Sequence, residues 1–302
     1  MTADAVVIGS GPGGASAAEV LTRAGWTVVM VEKGRNHLID PDDPSRPLEH
    51  YSNDEIKFVD RWFLGPDPIV EPRTFRVGPE DGERSFVGEV NSIPSTVGGG
   101  GVHADGKVPR FRQEDFALRS AHGPVEGAEV ADWPVTYDEL EPFYAEAERL
   151  IGVAGEAGAN PFAAWRSGPY PMPPGAPMYG ATLSSAAAER LGLHPYAAPT
   201  AANSIPYDGR PACNNCGFCG HFGCPIHAKG DPVALLQRAF ATGRAELLSD
   251  AFAHRIVTDG RRATGVEVVL ADGARRTVGA RHVVVAGGAI ETPRLLLLSG
   301  IG

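Results

Sequence analysis

All four cysteines of the chain lie in one short segment, CNNCGFCGHFGC, from Cys213 to Cys224. Their spacing, C-x2-C-x2-C-x4-C followed by Pro225, is one residue longer than the ferredoxin-type cysteine run. Cys213, Cys216, Cys219 and Cys224 are therefore candidate metal ligands, since thiolates this close together could hold an iron–sulfur cluster or a structural zinc ion. Free buried thiols in a glycine-rich loop are the remaining interpretation.

A second chemical motif opens the chain, VVIGSGPGG, with Gly9, Gly11 and Gly14 in the G-x-G-x-x-G spacing. The first glycine permits a tight turn, the second lets a pyrophosphate approach the backbone, and the third lets a helix pack closely on a strand. Glu32 ends the next apolar run, where its carboxylate is placed to accept hydrogen bonds from a ribose. The pattern predicts nucleotide binding, and both FAD and NAD are compatible with it.

The elements that must position this motif are a strand over Ala5–Ile8, a helix from about Gly14 to Ala24, and a strand over Thr27–Val31. Far along the chain, RHVVVAGGAIETPRLLLLSGIG predicts a further buried strand over His282–Val285 and a helix that opens near Thr292. Alternating strands with glycine-containing turns precede it and indicate a β-meander. A second strand, glycine and helix unit is the arrangement of two-part flavin sites, so FAD is favoured over NAD.

The composition excludes several classes of protein. The 302 residues are 43% hydrophobic and carry a net charge of -10, which indicates a globular protein and argues against nucleic-acid or anionic-membrane partners. No apolar run is long enough to predict a membrane span. The N-terminal MTADAVVIGS has no basic region and no cleavage site. We therefore expect a cytoplasmic location with reduced cysteines, which argues against disulfide bonds between them.

Four sequence blocks occur in an order that resembles the glucose–methanol–choline (GMC) oxidoreductases: VVIGSGPGGASAA, STVGGGGVHADGKVPRF, TGVEV and GGAIETPRLLLLSGIG. The blocks DWPVTYDELEPFYAEAERLIGVAG and PIHAKG, with the cysteine segment, resemble a bacterial dehydrogenase-like branch of that family. The resemblance implies an α/β fold whose Rossmann-like FAD-binding domain is discontinuous, with an inserted substrate-side region. We expect the FAD domain over 1–110 and 225–302, and the inserted region with its cysteine loop over 111–224.

The resemblance also implies an activity. It predicts an FAD-dependent oxidoreductase that acts on CH–OH groups of an alcohol, sugar or sterol-like substrate, with hydride transfer to flavin N5 and electrons passed to an acceptor. That partner would be an electron-acceptor protein or a quinone, while an oxygen-using oxidase of the same family is an alternative. Some members carry an iron–sulfur cluster in a cysteine-rich loop near this point of the chain, with different spacing.

Family members are usually longer than this chain, so the resemblance implies an N-terminal part only, without the C-terminal part of the family fold. The catalytic His segment is expected C-terminal to Gly302, which leaves the catalytic residue unknown. A truncated FAD-binding fragment without catalysis is therefore an alternative from a different class. A disulfide reductase-type flavoprotein is disfavoured, because no cysteine precedes Cys213.

The resemblance assigns further residues to the cofactor. Gly98 and Gly99 belong to a run of four glycines whose backbone is expected to approach the pyrophosphate and isoalloxazine ends of FAD. His103 stands where some members attach flavin covalently, and a hydrogen-bonded His that only touches the flavin is the other interpretation. Ala253 matches a position beside the adenine, and Gly288 matches one beneath the flavin.

The inserted region contains one segment with clear helical periodicity, TYDELEPFYAEAERLIGV, with Thr136 as the expected N-cap. We expect its apolar stripe to pack into a core rather than to bind a partner. The stripe consists of Leu140, Phe143, Tyr144, Ala147, Leu150 and Ile151.

Overall fold

The computed structural model describes residues 2–37, 39–40, 42–43, 95–217, 219–220 and 223–302, together with 74–75, 77–78, 80, 82 and 86–87. The chain divides into two compact units. The first unit contains Met1–Asp105, Gly217–Pro225 and Asp231–Gly302, and the second contains Gly106–Cys216 and Ile226–Gly230. The three-segment division expected from the sequence stays a prediction about the whole protein.

The described strands and helices alternate along the chain in an α/β order. The strands are β1 (Ala3–Ile8), β2 (Val28–Val31), β3 (Thr74–Phe75), β4 (Phe86–Val87), β5 (Ala245–Leu248), β6 (Ala251–Asp259), β7 (Arg262–Leu270) and β8 (Arg275–Val285). The helices are α1 (Pro12–Arg23), α2 (Gly100–His103), α3 (Leu118–His122), α4 (Tyr137–Ile151), α5 (Tyr179–Arg190), α6 (Pro232–Ala241) and α7 (Gly288–Leu298), with a 3-10 helix over Gln113–Phe116. None of these helices is both long and apolar enough to cross a membrane.

A six-stranded sheet organises the first unit, in the order β5-β2-β1-β8-β7-β6. β1 lies at its centre and pairs in parallel with β2 and with β8, while β2 pairs in parallel with β5. β6, β7 and β8 form the predicted antiparallel meander. The predicted α/β fold class is confirmed, and the carboxyl ends of β1, β2 and β8 meet at one edge of the sheet.

The first strand, helix and strand form for local reasons. β1 is an apolar run buried from Ala5 onward, and a turn at Gly25, with φ of 91°, returns the chain from α1 to β2. α1 begins at Pro12, two residues earlier than predicted, because Pro is well suited to the first helical position, where its missing N–H is not needed. α6, which comes from the C-terminal segment of the first unit, packs on α1.

The last helix also differs from the sequence prediction. α7 begins at Gly288, four residues before the predicted opening near Thr292. Pro293 therefore lies inside the helix, in its second turn, where its ring removes one backbone hydrogen bond without ending the helix. The earlier start brings the first turn of α7 directly after the carboxyl end of β8.

In the second unit, α4 has the predicted N-cap but a different buried face. The Thr136 backbone N–H donates to Glu139 Oε2 at 2.8 Å, and the Glu139 backbone N–H donates to Thr136 Oγ1 at 3.3 Å. The expected apolar core stripe was wrong for Phe143, which is 65% exposed, and for Ala147, which is also exposed. The buried positions of α4 are Tyr137, Glu141, Glu148 and Leu150. Two of these are carboxylates, and they are buried because they bind arginines of the same unit.

Candidate functional site

The turn after β1 brings the backbone of two distant segments together. Gly9 has φ of 96°, a conformation that favours glycine, and its N–H donates to Val31 O at 2.8 Å. A Cβ at Gly9 would lie 2.5 Å from the carbonyl oxygen of Ala286, which follows β8. The absence of a side chain at Gly9 thus allows the ends of β1 and β8 to approach each other.

Gly11 and Gly14 have different surroundings in the same turn. A Cβ at Gly14 would lie 1.9 Å from the Gly9 carbonyl oxygen, so α1 can approach β1 only without a side chain there. Gly11 is the N-cap of α1, and a Cβ built on it would have none of the described atoms within 4 Å. The open side of Gly11 faces space in which a ligand can reach the free N–H groups of the helix N-terminus.

Glu32 is fixed at the end of β2 with only 6% of its surface exposed. Its Oε2 accepts hydrogen bonds from Ser10 N–H at 3.0 Å and from Ser10 Oγ–H at 2.7 Å, and its Oε1 accepts one from Gly34 N–H at 2.9 Å. Burial raises the pKa of Glu32, while these hydrogen bonds act in the opposite direction. The carboxylate therefore has one fixed orientation.

The glycine run supplies another wall. Gly98 N–H donates to Ser10 Oγ at 2.9 Å, so Ser10 links the run to Glu32. Gly99 has φ of 54°, and a Cβ built there would lie 3.1 Å from Gly11 Cα. The two glycine-rich segments meet backbone to backbone, which the sequence alone did not reveal.

The remaining wall comes from β6, the end of β8 and α7. Phe252 and Ala253 of β6 lie beside the first turns of α7, where the Arg294 guanidinium stacks 4.7 Å from the centre of the Phe252 ring. Glu291 Oε2 accepts a hydrogen bond from Arg294 Nε at 2.6 Å and holds that guanidinium in place. Sequence reasoning missed Phe252, Glu291 and Arg294. They are near predicted contacts in sequence, Phe252 next to Ala253 and the other two shortly after Gly288, but nothing in the sequence brings β6 and α7 together.

These walls enclose one cavity of about 630 Å³ in the first unit. Six of the nine residues predicted to bind the cofactor line it: Gly9, Gly11, Glu32, Gly99, Ala253 and Gly288. The other three, Gly14, Gly98 and His103, are not among its described lining residues. Gly14 lets α1 approach the turn at Gly9, and Gly98 donates its N–H to Ser10 Oγ. His103 is the last residue of α2. The roles of all nine in binding stay predictions.

The cavity fits a dinucleotide by its size and by its backbone. Its volume lies within the roughly 300–1,000 Å³ of small-molecule sites. Gly11 and the N-terminus of α1 offer N–H groups to a pyrophosphate, and Glu32 offers an acceptor to a hydroxyl group. These two features stand at the carboxyl ends of parallel strands, where open α/β sheets bind their ligands.

The cysteine segment gives a different result. The four cysteines, all within the described residues, form no disulfide and are of intermediate burial, and the Cys213 Sγ accepts a hydrogen bond from Asn215 N–H at 3.3 Å. Within the described residues, which omit 218, 221 and 222, no group of three or more His, Cys, Asp or Glu side chains is arranged to hold a metal ion. The predicted iron–sulfur cluster therefore receives no support from this structure.

Comparisons with known proteins agree with the geometry. Residues 181–302 match the family model of GMC oxidoreductase, and residues 3–91 match a model described as pyridine nucleotide-disulphide oxidoreductase. The gluconate 2-dehydrogenase flavoprotein of Pantoea cypripedii is 32% identical over an alignment of 327 positions, which covers 99% of this chain and 52% of that protein. The 2-methyl-1,2-propanediol dehydrogenase of Mycolicibacterium austroafricanum is 32% identical over 98% of this chain and 50% of its own length.

Solved structures show the same fold. An FAD-dependent oxidoreductase from Chaetomium thermophilum is similar with a TM-score of 0.62 and 20% identity, over 100% of this chain and 48% of that one. The fold and the glycine-lined cavity thus define a dinucleotide-binding unit of the flavoprotein class. The match to the GMC oxidoreductase model over residues 181–302, together with relatives that cover the whole chain, confirms the resemblance that the motifs predicted and supports FAD as the cofactor. The chain spans about half the length of the curated relatives it matches.

Proposed function

We propose that this chain binds FAD in the first-unit cavity and forms part of an enzyme that oxidises a CH–OH group of a small alcohol or sugar. The observation that carries the proposal is the cavity itself, in which Gly11 at the N-terminus of α1 and the carboxylate of Glu32 line the same space. The names of the relatives, gluconate 2-dehydrogenase flavoprotein and 2-methyl-1,2-propanediol dehydrogenase, support the substrate class.

Each part of the cavity has a task in this proposal. The backbone of Gly11 and the N-terminus of α1 bind the pyrophosphate. A carboxylate has about four acceptor positions, and Ser10 and Gly34 occupy three of those on Glu32. The position left on Oε1 binds a ribose hydroxyl group. Ala253 lies beside the adenine, while Gly99 and Gly288 leave room for the pyrophosphate and flavin ends.

The chemistry follows from the cofactor. Bound FAD supplies a hydride acceptor, N5, for the hydrogen on the carbinol carbon of the substrate. The residues of this chain hold the cofactor, and we assign none of them as the base that takes the hydroxyl proton. That base stays a prediction for a segment C-terminal to Gly302, and the electron acceptor, a protein, a quinone or oxygen, is likewise a proposal for the whole protein.

The experiment that tests the proposal is an anaerobic titration of the protein expressed from its full reading frame. The flavin absorbance should bleach on addition of a sugar acid or a small diol and should return on addition of an artificial electron acceptor. Absence of bound flavin would remove the proposal, and bound flavin that no alcohol reduces would restrict it to cofactor binding. Return of the colour with air alone would favour an oxidase.

Two measurements on the same sample settle the open chemical predictions. Mass spectrometry of the denatured protein shows whether flavin stays attached to a peptide that contains His103, because only a covalent bond survives denaturation. An assay of iron and zinc shows whether the cysteines hold metal, and it does not depend on the outcome of the flavin titration.

A further inference from the structure

The second unit has a cavity of its own, with a volume of about 490 Å³. Three stretches bound it, within residues 109–115, 156–170 and 196–199, and all of them belong to the second unit. Its volume also falls within the roughly 300–1,000 Å³ of small-molecule sites. Neither the glycine motifs nor the proposed flavin chemistry gives this cavity a role.

A buried ion network forms one side of the cavity. The side chain of Glu148 is 6% exposed and accepts hydrogen bonds from Arg110 Nε at 2.7 Å and from Arg166 Nη2 at 2.6 Å. Glu141 accepts a further bond from Arg110 Nη1 at 2.9 Å. Arg166 also lies 3.6 Å from the centre of the Tyr170 ring. The guanidinium groups of Arg110 and Arg166 are thus fixed in place, and their charge is matched by two buried carboxylates.

Aromatic rings that stay open to solvent form another side. Phe162, Trp165 and Tyr196 line the cavity and are 73%, 46% and 45% exposed. Trp165 Nε1–H donates to Asp138 Oδ1 at 2.8 Å, which fixes the indole while leaving part of its surface uncovered. Exposed rings that converge on one concave space, with one of them held by a hydrogen bond, are a platform on which a ligand can stack.

The charges of the lining select the class of ligand. Asp115 and Glu156 line the same cavity, so an anion would meet two carboxylates. The charges of the lining arginines are already matched, those of Arg110 and Arg166 by Glu141 and Glu148 and that of Arg112 by Glu114 at 2.7 Å and Asp115 at 3.9 Å, so the lining favours neither an anion nor a cation. A neutral ligand with hydroxyl groups can donate to the carboxylates and accept from the arginines. Its flat C–H surface would pack on the aromatic rings, and a sugar ring has all of these properties.

We propose that the second-unit cavity binds a neutral carbohydrate, with the sugar ring on Trp165 and Phe162 and its hydroxyl groups near Asp115 and Glu156. The proposal depends on the geometry of the second unit and is independent of the proposed flavin chemistry. It adds a carbohydrate-recognition site to a chain whose motifs and relatives point to cofactor binding in the first unit.

Isothermal titration of the purified chain, without any turnover of flavin, tests the proposal. The probes are methyl glucoside and maltose as neutral sugars, sodium gluconate as an anion and choline chloride as a cation. We expect the neutral sugars to bind. Phe162→Ala and Trp165→Ala should each weaken that binding about tenfold, since the stacking of one ring on a ligand changes the dissociation constant by about that factor. Trp133→Ala is the matched control, because Trp133 is 54% exposed in the same unit and lies outside the described lining.

Each contrary result has a clear meaning. No saturation with either sugar at its highest soluble concentration overturns the proposal, and so does binding of gluconate or choline in place of the sugars. Sugar binding that is unchanged in Phe162→Ala places the sugar elsewhere and also overturns it. The Phe162 ring is so exposed that its removal should leave the fold intact, which circular dichroism checks. A chain that fails to bind FAD can still give a positive result here.

Discussion

Two glycines of one turn, Gly11 and Gly14, differ in what a side chain would meet. At Gly14 the obstacle is the backbone of the protein itself, 1.9 Å away at the Gly9 carbonyl oxygen. At Gly11 none of the described atoms lies within 4 Å of an added Cβ, and the residue lines the cavity. One glycine is needed for folding, and the other is expected to be needed for the ligand.

This difference predicts two distinguishable variants. Gly14→Ala should lower the free energy of unfolding of the cofactor-free chain by about 3 kcal/mol or prevent folding, because the clash is with backbone that cannot move away. Gly11→Ala should lower that free energy by no more than about 1 kcal/mol, the scale of a less favourable N-cap residue, but weaken FAD binding. Urea unfolding without FAD, followed by flavin titration of the folded variants, measures both. Equal loss of stability in the two variants would contradict the prediction.

Asp4 gives a residue-scale prediction about pH. The backbone N–H of Thr27 donates to Asp4 Oδ2 at 2.7 Å, and Arg281 binds its other oxygen, so these contacts lower the pKa of Asp4 from 3.8 to about 2. At a pH between about 2 and 3.8, the Asp4 carboxyl therefore binds more protons in the unfolded chain than in the folded chain. The stabilisation from Asp4 should be complete above pH 3.8 and should be lost as the pH falls through about 2.

Asp4→Asn tests this sign. The variant should be less stable than the original protein at pH 6, and the difference in urea midpoint should narrow as the pH is lowered towards 2. Arg281→Gln should cause a smaller change, because the Thr27 backbone contact has the largest effect on this pKa. A difference between Asp4→Asn and the original protein that stays constant with pH would show that the carboxylate charge is not the cause.

At the scale of elements, α4 shows what holds the second unit together. Glu148→Gln should lower the free energy of unfolding by about 3 kcal/mol, because Arg110 and Arg166 would lose the carboxylate that neutralises them in a buried position. Phe143→Ala on the same helix is the matched control and should cost no more than about 0.5 kcal/mol, since Phe143 is 65% exposed. Urea unfolding of both variants checks this. A larger loss in Phe143→Ala would restore the apolar stripe as the core face.

The elements that the sequence predicted are those with local causes. The strand, helix and strand around Gly9 follow from apolar runs and a glycine spacing, and the start of α4 follows from the Thr136 cap. The buried face of α4 was not predictable in this way. Glu148 is buried because it binds Arg110 and Arg166. These partners lie 38 and 18 positions away in sequence, so the pattern of residues within the helix does not indicate them.

The candidate site likewise contains residues that the sequence predicted and residues that it did not. Gly9, Gly11 and Glu32 were found because their spacing within one short segment has a known physical meaning. Phe252 and Arg294 were not found, because they meet only when β6 and α7 are packed beside each other. A residue whose role depends on a neighbour far away in sequence carries no signal of its own.

At the scale of the whole chain, FAD should act as a stabilising ligand. A ligand at 100 times its Kd adds about 2.7 kcal/mol to the free energy of unfolding. The midpoint of thermal unfolding should therefore rise with FAD concentration. Hydrogen exchange should slow in peptides over residues 9–14 and 286–292, which contain cavity-lining turns. The turn at Gly260, between β6 and β7, lies outside the described lining and should not change.

Two outcomes of that experiment would contradict the proposed site. Slower exchange at the Gly260 turn, but not in the cavity peptides, would place FAD elsewhere on the chain. An unfolding midpoint that does not move with FAD concentration would show that the folded chain does not bind it.

The central position of β1 has a consequence for biosynthesis. Ala3 pairs with Ala280, 277 positions later, so the sheet cannot close around β1 until β8 has left the ribosome. At about 5–20 residues per second this takes roughly 14–55 s, during which one edge of β1 is without its native neighbour. The unpaired edge is a surface to which other strands can bind. A nascent chain of this design exposes that edge for most of its synthesis, and the cavity of the first unit, whose lining includes residues from Val284 to Leu295, can form only at the end of it.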